Sequence, residues 1–203
     1  MSNTAERGWA GTTKAERQSA RQARIRAAGY ELITVGGTSA VTVRSVCRQA
    51  GLTDRYFYES FESRDALLAA MFLESADAVH HALTEVIEQH HGDPVRLVEA
   101  LQGVFEEHIL DDPAKGRLLL LDSLTEPALA GVSLAAVPAF TRLVQTQLPT
   151  DAPRAQRAMT AVGLMGALAA LLSSWFAGTL RVSREELVQH CTKLLLGAPV
   201  RPM

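Results

Sequence analysis

The sequence predicts an all-α protein in which a small helix-turn-helix domain precedes a larger helical domain. Alanine and leucine are abundant among the 203 residues, aromatic residues make up only 5%, and no alternating β-branched run indicates a strand. Apolar residues instead recur at helical spacing between Gly and Pro residues. With 47% hydrophobic residues, a chain of this length can form one or two domains with buried cores.

The first helix is expected to begin after residues 1–12, a polar segment that we predict to be disordered and that lacks the apolar run of a signal peptide. Thr13 and Glu16 have the spacing of a capping box. The paired glycines Gly36 and Gly37 end this helix. Its inward face consists of Ile25, Ala28 and Leu32, with Val35 as a further candidate.

Two short helices joined by a tight turn come next. Thr42 is a suitable N-cap for the first, and Gly51 stands where a left-handed conformation ends a helix at least cost. Thr53 can cap the second helix, which directs Phe57 and Phe61 into the core. The apolar face of the first helix consists of Val43, Val46, Cys47 and Ala50.

The second short helix has polar and aromatic residues on the sides that do not face its core. Arg55, Tyr56 and Tyr58 are the largest of them. A recognition helix in the major groove of DNA has such a composition, because its N-terminal residues meet base edges while Arg, Tyr, Ser and Thr hold phosphates. A helical hairpin with half-buried tyrosines and no DNA partner is the alternative.

Positive charge is concentrated in the N-terminal third of the chain. Residues 1–64 contain ten Lys and Arg against six Asp and Glu, a net charge of +4, whereas the other residues contain ten against sixteen and carry −6. This distribution suits the attraction of phosphates at one end of the molecule. Uneven placement of ordinary solvated charges is the alternative interpretation.

The N-terminal residues also match the pattern of a known family. The pattern comprises a basic first helix, Ala28, Leu32, Gly36, Gly37, Thr42, the run Ala50-Gly51-Leu52-Thr53, and Tyr58, Phe61, Ser63, Arg64 and Leu67. In these residues the chain resembles, over 14–71, the DNA-binding domain of the tetracycline-repressor (TetR) family of transcriptional regulators. Val46-Cys47 replaces the usual Ile-Ala, and Arg64 replaces a usual lysine. Arg55-Tyr56-Phe57 departs further, so the bases that are read cannot be transferred from a relative.

Eight residues are expected to contact double-stranded DNA. Seven lie in the predicted DNA-binding domain, 13–62, and the eighth, Arg64, follows it. Arg55, Tyr56 and Ser60 are predicted to face bases. The residues predicted to hold phosphates are Thr42, Arg44, Thr53, Tyr58 and Arg64.

Residues 63–197 are predicted to form a helical domain for ligand binding and dimerisation, followed by a tail at 198–203. Ser63 caps the helix that joins the two domains, and the Asp-Pro pairs at 93–94 and 112–113 are typical helix starts. A loop or kink is predicted further on, where three residues interrupt the helical pattern: Pro127, Gly131 and Pro138.

Residues 158–180 contain no charge and are long enough to span a bilayer. Their Ala, Gly, Ser and Thr content favours instead a helix buried between its own core and a second copy of the chain. The resemblance implies that the last two helices, here 154–180 and 183–197, form a four-helix bundle with those of a second subunit. The predicted interface residues are Leu164, Leu168, Leu171, Leu187, Cys191 and Leu194.

The resemblance further implies that a small molecule binds among the middle helices and changes the separation of the two DNA-binding domains. Candidate lining residues, chosen by residue type, are Phe105, His108, Phe140, Met165, Trp175 and Phe176. Plain core packing is the alternative for each of them. The effector is unknown, and a small, largely apolar molecule is expected.

Other site chemistry has little support in the sequence. Asp77, His81 and Glu85 recur at a spacing that suits a metal, but an exposed polar helix face gives the same pattern. No metal or cofactor is predicted, and no spacing of Ser, His and acidic residues identifies a catalytic site. Cys47 and Cys191 in a chain without a signal peptide indicate a reducing cytoplasm, with a thiol sensor as the alternative.

These patterns together predict a cytoplasmic homodimeric regulator, not an enzyme, that binds an approximately palindromic operator and no membrane. The family implies repression that is relieved when the effector binds. The alternative is a helical small-molecule-binding or enzymatic bundle without DNA binding.

Overall fold

Helices form the regular elements in the described part of the chain. The structure is a computed structural model that describes residues 13–90 and 93–197. The predicted arm at 1–12 and the tail at 198–203 lie outside the described residues. The helices are α1 Lys14–Gly36, α2 Val43–Ala50, α3 Asp54–Tyr58, α4 Arg64–Gln89, α5 Pro94–Phe105, α6 Pro113–Arg117, α7 Ser123–Thr125, α8 Ala130–Gln147, α9 Arg154–Phe176 and α10 Arg184–Gly197.

Four short helical turns connect these elements. Two are π-helical, Glu106–Leu110 after α5 and Leu118–Asp122 after α6. Two are 3-10 turns, Thr38–Ala40 before α2 and Pro127–Leu129 before α8. We call residues 13–62 the head and residues 63–197 the body.

The helices of the head begin at the predicted capping residues. The Thr13 hydroxyl oxygen accepts from the Glu16 amide at 3.1 Å, and the Glu16 carboxylate accepts from the Thr13 amide at 2.6 Å, which confirms the capping box of α1. The Thr42 hydroxyl oxygen accepts from the Ser45 amide at 3.1 Å, so α2 begins at Val43 as predicted.

Gly51 ends α2 and sets the tight turn of the helix-turn-helix. Its φ of 62° and ψ of 40° are left-handed, as the sequence predicts. α3 then starts at Asp54 and directs Phe57 into the core, where its ring lies 6.1 Å from that of Phe61. The other sides of α3 are left facing outward.

The head and the body share a continuous apolar core. Ile25, Val46 and Phe57 of the head belong to the same cluster as Leu67 and Leu118 of the body. A second cluster lies deeper in the body and consists of Ile109, Leu110, Leu172, Leu187, Val188 and Cys191. Because the first cluster crosses the domain boundary, a shift of the body helices is passed to the head through packing.

α8 differs from the loop or kinked pieces that its proline and glycine predict. One helix of 18 residues contains both Gly131 and Pro138. Proline at this position removes one backbone donor, but Val132, Ala136 and Phe140 of the same helix pack against the first cluster. Burial of that face outweighs the local cost and keeps the helix continuous.

α8 and α9 leave apolar residues exposed in the single chain. The segments Pro127–Gln147 and Arg154–Phe176 are each long and apolar enough, by length and composition alone, to cross a membrane. Leu134 and Val137 on α8 and Met159 and Val162 on α9 are among the large exposed apolar residues. These two helices therefore present an apolar surface that a single chain does not cover.

α10 presents a polar outer surface, which corrects part of the predicted dimer interface. Leu187 and Cys191 are 1% and 5% exposed and pack in the second cluster with Ile109 and Leu172. The apolar stripe of α10 closes the chain's own core, so it is not available to a second copy. The exposed residues of the helix include Glu186, Gln189, His190 and Lys193.

Candidate DNA-binding face and effector cavity

α3 presents three large side chains to the outside of the head. The Arg55 side chain is 84% exposed, and Tyr56 and Tyr58 are 41% and 59% exposed. The N-cap residue Thr53 makes no side-chain hydrogen bond to the helix, and its hydroxyl is exposed. α3 and its N-cap residue thus offer a guanidinium, two phenols and a hydroxyl, groups that bind phosphates and base edges.

α1 fixes the orientation of α3. The guanidinium of Arg21 lies over the Tyr56 ring, 5.1 Å from its centroid, and Nη2 of Arg21 lies 3.6 Å from the Glu59 carboxylate. Glu59 also pairs with Arg55, whose Nε lies 3.0 Å from the same carboxylate. Two arginines therefore offset the negative charge that Glu59 would otherwise present to DNA.

Ser60 does not direct its hydroxyl outward, which differs from the predicted contact with a base. The hydroxyl donates to the Tyr56 carbonyl at 2.9 Å, and the Ser60 carbonyl accepts from Gln22 Nε2 at 3.2 Å. The role of Ser60 is to join the end of α3 to α1.

Exposed cations on α1 and α2 add to the positive charge of the head. Arg44 and Arg48 on α2 are exposed, as are Lys14 and Arg17 on α1. Arg24 instead donates to the Ala50 carbonyl at 2.6 Å and so places a positive charge at the C-terminus of α2. Exposed cations on two helices beside α3 form a surface suited to a phosphate backbone.

Arg64 is held inside the protein, which differs from the predicted phosphate contact. Its Nε donates to the Val41 carbonyl at 2.7 Å and its Nη2 to the Thr38 carbonyl at 2.9 Å. The same Nη2 lies 2.8 Å from the Glu126 carboxylate, and Nη1 lies 3.1 Å from Asp65. The acidic partners and hydrogen bonds raise the pKa of Arg64, with Glu126 as the largest cause. The side chain joins the start of α4 to the head.

Asp122 forms a second junction between head and body. Its carboxylate is buried, accepts from the Thr38 amide at 3.2 Å and lies 3.2 Å from the Nε of Arg117. Arg117 in turn passes close to Gly37, whose φ is 66°; a Cβ at that position would lie 2.6 Å from Nη2 of Arg117. Thr38 is therefore bonded through its amide to Asp122 and through its carbonyl to Arg64.

Sequence reasoning missed Asp122, Glu126 and Arg117. Asp122 stands 84 residues from its partner Thr38 in the head, and Glu126 stands 62 residues from its partner Arg64 at the start of α4. The helical periodicity of a sequence relates residues three or four positions apart and does not predict contacts between residues this distant. The one local signal is the acid at 122 inside an otherwise apolar run, 118–124, where a charged residue needs a partner.

A cavity of about 710 Å³ lies within the body. It is bounded by α4, α5, α8, α9 and α10 and by the π-helical turn Leu118–Asp122. Its polar wall residues are Gln102, Ser123, Ser133, Gln147 and Thr192, and the other wall residues are apolar. The volume lies in the range of small-molecule sites.

Three of the six residues predicted to line a pocket do so. Phe105, Phe140 and Met165 lie in the cavity wall. The other three are His108, Trp175 and Phe176, and none of them belongs to the wall. The indole of Trp175 donates to the Val182 carbonyl at 3.1 Å, and its ring meets Phe176 edge-on at 5.2 Å. Trp175 and Phe176 pack against the second cluster as partly buried core residues.

The wall also contains residues assigned from the sequence to dimerisation. Leu164 and Leu168 of α9 face the cavity, and so does Cys191 of α10. Leu171 and Leu194 are partly buried, and Leu171 packs on the second cluster. Of the exposed apolar residues on α8 and α9, Leu134 and Val137 also line the cavity, whereas Met159 and Val162 do not.

The two cysteines are poor candidates for reactive thiols. Burial raises the pKa of Cys47 to about 11, with further contributions from Asp54. Burial also raises the pKa of Cys191. Since the thiolate is the reactive form, both side chains behave as small apolar groups at neutral pH.

The sequence of the head matches a family model. Residues 25–71 match the model described as "Bacterial regulatory proteins, tetR family". No curated protein matches the chain.

Solved structures share the fold at low sequence identity. A transcriptional regulator from Rhodococcus sp. Rha1 is 19% identical, with a TM-score of 0.68 over 89% of this chain and 99% of that chain. The fatty acid degradation regulator FadR from Bacillus halodurans is 16% identical, with a TM-score of 0.68 over 89% and 97%. The multidrug binding protein EbrR, complexed with malachite green, is 18% identical, with a TM-score of 0.64 over 86% and 97%.

Proposed function

We propose that this chain, which belongs to the TetR family of transcriptional regulators, represses a promoter by binding an approximately palindromic operator as a homodimer. A small, largely apolar effector that enters the body cavity releases the DNA. The observation that carries the proposal is the outward face of α3, where Arg55, Tyr56 and Tyr58 stand exposed on a helix-turn-helix in which Thr42 caps α2 and Gly51 forms the turn.

Contacts with DNA divide between bases and phosphates. Arg55 and the exposed part of Tyr56 enter the major groove, since they extend from the N-terminal half of the recognition helix, and Tyr58 at its end holds a phosphate. Thr42 and Arg44 at the N-terminus of α2 hold phosphates, where the positive end of the helix dipole adds to the attraction. Thr53 adds a hydroxyl on the same side.

The second copy covers the apolar surface of α8 and α9. Met159 and Val162 on α9 are exposed apolar residues outside the cavity wall, and a two-fold axis lets the same surface cover itself. Leu134 and Val137 on α8 are exposed too, but they also line the cavity. A dimer places two copies of α3 at a fixed separation. Their half-sites are then related by inversion and lie about one helical turn of DNA, or somewhat more, apart.

Occupation of the cavity is linked to the head by the segment from 118 to 126. Leu119 and Leu120 form part of the cavity wall, whereas Asp122 and Glu126 hold Thr38 and Arg64. A ligand that displaces the wall therefore displaces the anchors of the head. By linkage, the ligand weakens DNA binding only as far as it prefers the released arrangement.

DNA binding is tested by titrating the protein against DNA from upstream of its own gene at several salt concentrations, beside a scrambled duplex. We expect a preference of roughly a thousandfold or more for the specific site. Arg55→Ala should change which sequence is preferred. Arg96→Ala, an exposed arginine on α5, is the matched control and should bind as the unaltered protein does. A protein that binds no fragment from a genomic selection would instead be a helical bundle without DNA function.

Dimerisation is tested by sedimentation without detergent. Val162→Arg places a charge on the exposed face of α9 outside the cavity wall and should convert dimers to monomers. The matched control is Lys193→Ala on the polar side of α10, which should leave the dimer intact. Protein that stays in solution only with detergent or lipid would assign the same apolar surface to a membrane.

A further inference from the structure

The described wall of the body cavity contains no charged side chain. Among the described residues that line it, none is Asp, Glu, Lys, Arg or His. Transfer of an unpaired carboxylate or ammonium from water into such surroundings is strongly unfavourable, because no protein charge replaces the lost hydration. The cavity therefore selects against ligands that carry a formal charge inside it.

The carboxylate of Glu106, which accepts a hydrogen bond from the wall residue Gln102, adds to the selection against anionic ligands. Gln102 lines the cavity, and its Nε2 donates to the Glu106 carboxylate at 2.9 Å. Glu106 is partly exposed, and its carboxylate lies 3.6 Å from Nη2 of Arg184. A ligand carboxylate placed at Gln102 would meet this negative charge at short range.

A single pair of polar side chains bridges two helices at the wall. The Thr192 hydroxyl of α10 donates to the Val188 carbonyl at 2.9 Å and reaches Oε1 of Gln102 on α5 at 3.4 Å. That second contact is long, so Oε1 of Gln102 and the Thr192 oxygen both retain capacity to accept a hydrogen bond. A hydroxyl or an amide N–H can supply the donor.

The remaining wall suits a flexible hydrocarbon. Its aromatic residues are Phe72, Phe105 and Phe140, and most of the rest are Leu, Val, Ile and Ala. Branched aliphatic side chains pack against methylene groups but offer few ring faces for a planar aromatic ligand. At about 30 Å³ for each non-hydrogen atom, similar to the share of a water molecule in the liquid, a volume of 710 Å³ accommodates a chain of twelve or more carbons.

We infer that the cavity binds an uncharged, chain-like amphiphile whose hydroxyl or amide group meets Gln102 and Thr192 and whose hydrocarbon body fills the aliphatic remainder. The inference rests on the proposed role of the cavity as the effector site. It adds the charge, shape and orientation of the ligand.

The test compares three amphiphiles of equal chain length with the full-length protein in the absence of DNA. Dodecanol, dodecanoate and dodecyltrimethylammonium are titrated by calorimetry at pH 8, dodecanol below its solubility limit and the two charged compounds below the concentrations at which they form micelles. We expect dodecanol to bind at least tenfold more tightly than either charged compound. Equal or tighter binding of dodecanoate or dodecyltrimethylammonium, or no binding of dodecanol, overturns the inference.

Two variants test the orientation and the charge argument separately. Gln102→Leu should weaken dodecanol by about two- to tenfold, the effect of one hydrogen bond, and should leave dodecane unchanged. Met165→Lys puts an ammonium into the wall and should improve dodecanoate binding. Unchanged dodecanol affinity in Gln102→Leu would contradict the assigned orientation. Thermal unfolding of each variant shows whether it is folded.

A separate assay distinguishes failure of this inference from failure of the proposed function. Dodecanol is added to the protein bound to its operator, and release of the DNA is followed by fluorescence anisotropy. Binding without release would support the ligand class and contradict the effector role. Specific DNA binding by a protein that ignores dodecanol would retain the regulator and overturn the ligand class.

Discussion

Glu126→Gln removes the charge from the ion pair that holds the head against the body. The Glu126 carboxylate lies 2.8 Å from Nη2 of Arg64, and the two side chains are 14% and 28% exposed. The guanidinium also donates to the Thr38 and Val41 carbonyls, at the connection between α1 and α2. Loss of the carboxylate charge therefore weakens a junction on which both the head and the start of α4 depend.

The magnitude follows from the partial exposure of the pair. A hydrogen bond to a charged group contributes about 1.5–3 kcal/mol, and exposure lowers that value, so we expect Glu126→Gln to reduce the free energy of unfolding by about 1–2 kcal/mol. For a chain of about 150–250 residues each kcal/mol shifts Tm by about 2–4 °C. The expected fall in Tm is thus about 2–8 °C at neutral pH.

The pH dependence of the effect has a definite sign. The hydrogen bond from Arg64 is the main reason why the pKa of Glu126 lies below its usual value of 4.5. A carboxyl whose pKa is lower in the folded than in the unfolded state stabilises the fold above the unfolded pKa and loses that contribution as pH falls through the folded pKa. The difference between Glu126→Gln and the unaltered protein should shrink below about pH 4.

The measurement is thermal unfolding by circular dichroism at fixed protein concentration, at pH 7 and again near the acid limit of stability, because the Tm of a dimer depends on concentration. Glu99→Gln, an exposed glutamate on α5, is the matched control and should change the free energy of unfolding by less than about 0.5 kcal/mol. The reasoning is refuted if Glu126→Gln behaves like this control at pH 7, or if its deficit grows as the pH falls.

Three further perturbations test other parts of the structure. Arg44→Ala should weaken binding to all DNA sequences alike and lower the salt slope by about one, measured by anisotropy at several salt concentrations. Gly37→Ala should cost about 1–3 kcal/mol in urea unfolding, because φ is 66° and the new Cβ would meet Arg117; an unchanged midpoint would contradict the close approach. Burial raises the pKa of Tyr30 to about 12, so Tyr30→Phe should leave the ultraviolet titration below pH 11 unaltered and should cost about 1 kcal/mol for its bond to the Met71 carbonyl at 2.9 Å.

Local features of the head could be predicted because their causes are local. Thr42 caps α2 through a residue three positions away, and Gly51 takes the left-handed conformation that its own lack of a side chain permits. The exposure of Arg55 and Tyr58 likewise follows from one short helix with one apolar face. Each of these inferences needs only a few neighbouring residues.

Features that depend on distant partners could not be predicted in the same way. Arg64 follows the recognition helix, where a cation suits a phosphate, but Glu126 and two head carbonyls occupy it. Leu187 and Cys191 form an apolar stripe that would fit either a core or an interface. Periodicity shows that a face is apolar and does not show which surface covers it.

Pro138 illustrates a competition between local and tertiary preference. Proline and glycine in 127–138 favour a break, yet α8 stays continuous because Ala136 and Phe140 pack on the first core. Proline inside a helix costs about 3 kcal/mol locally, and the packing of one face of α8 on the core offsets that cost. A sequence window contains the first quantity and not the second.

The π-helical turn Leu118–Asp122 sets the helical phase of two surfaces at once. Leu119 and Leu120 point to the cavity, and Asp122 points to Thr38. The wide turn takes up one more residue than an α-helical turn of the same rotation, so the chain after it keeps nearly the same direction. Within the turn, Leu119 and Leu120 can differ in size without moving the backbone that carries Asp122. The cavity wall can therefore change by substitution at 119 and 120 while the bond between Asp122 and Thr38 stays in place.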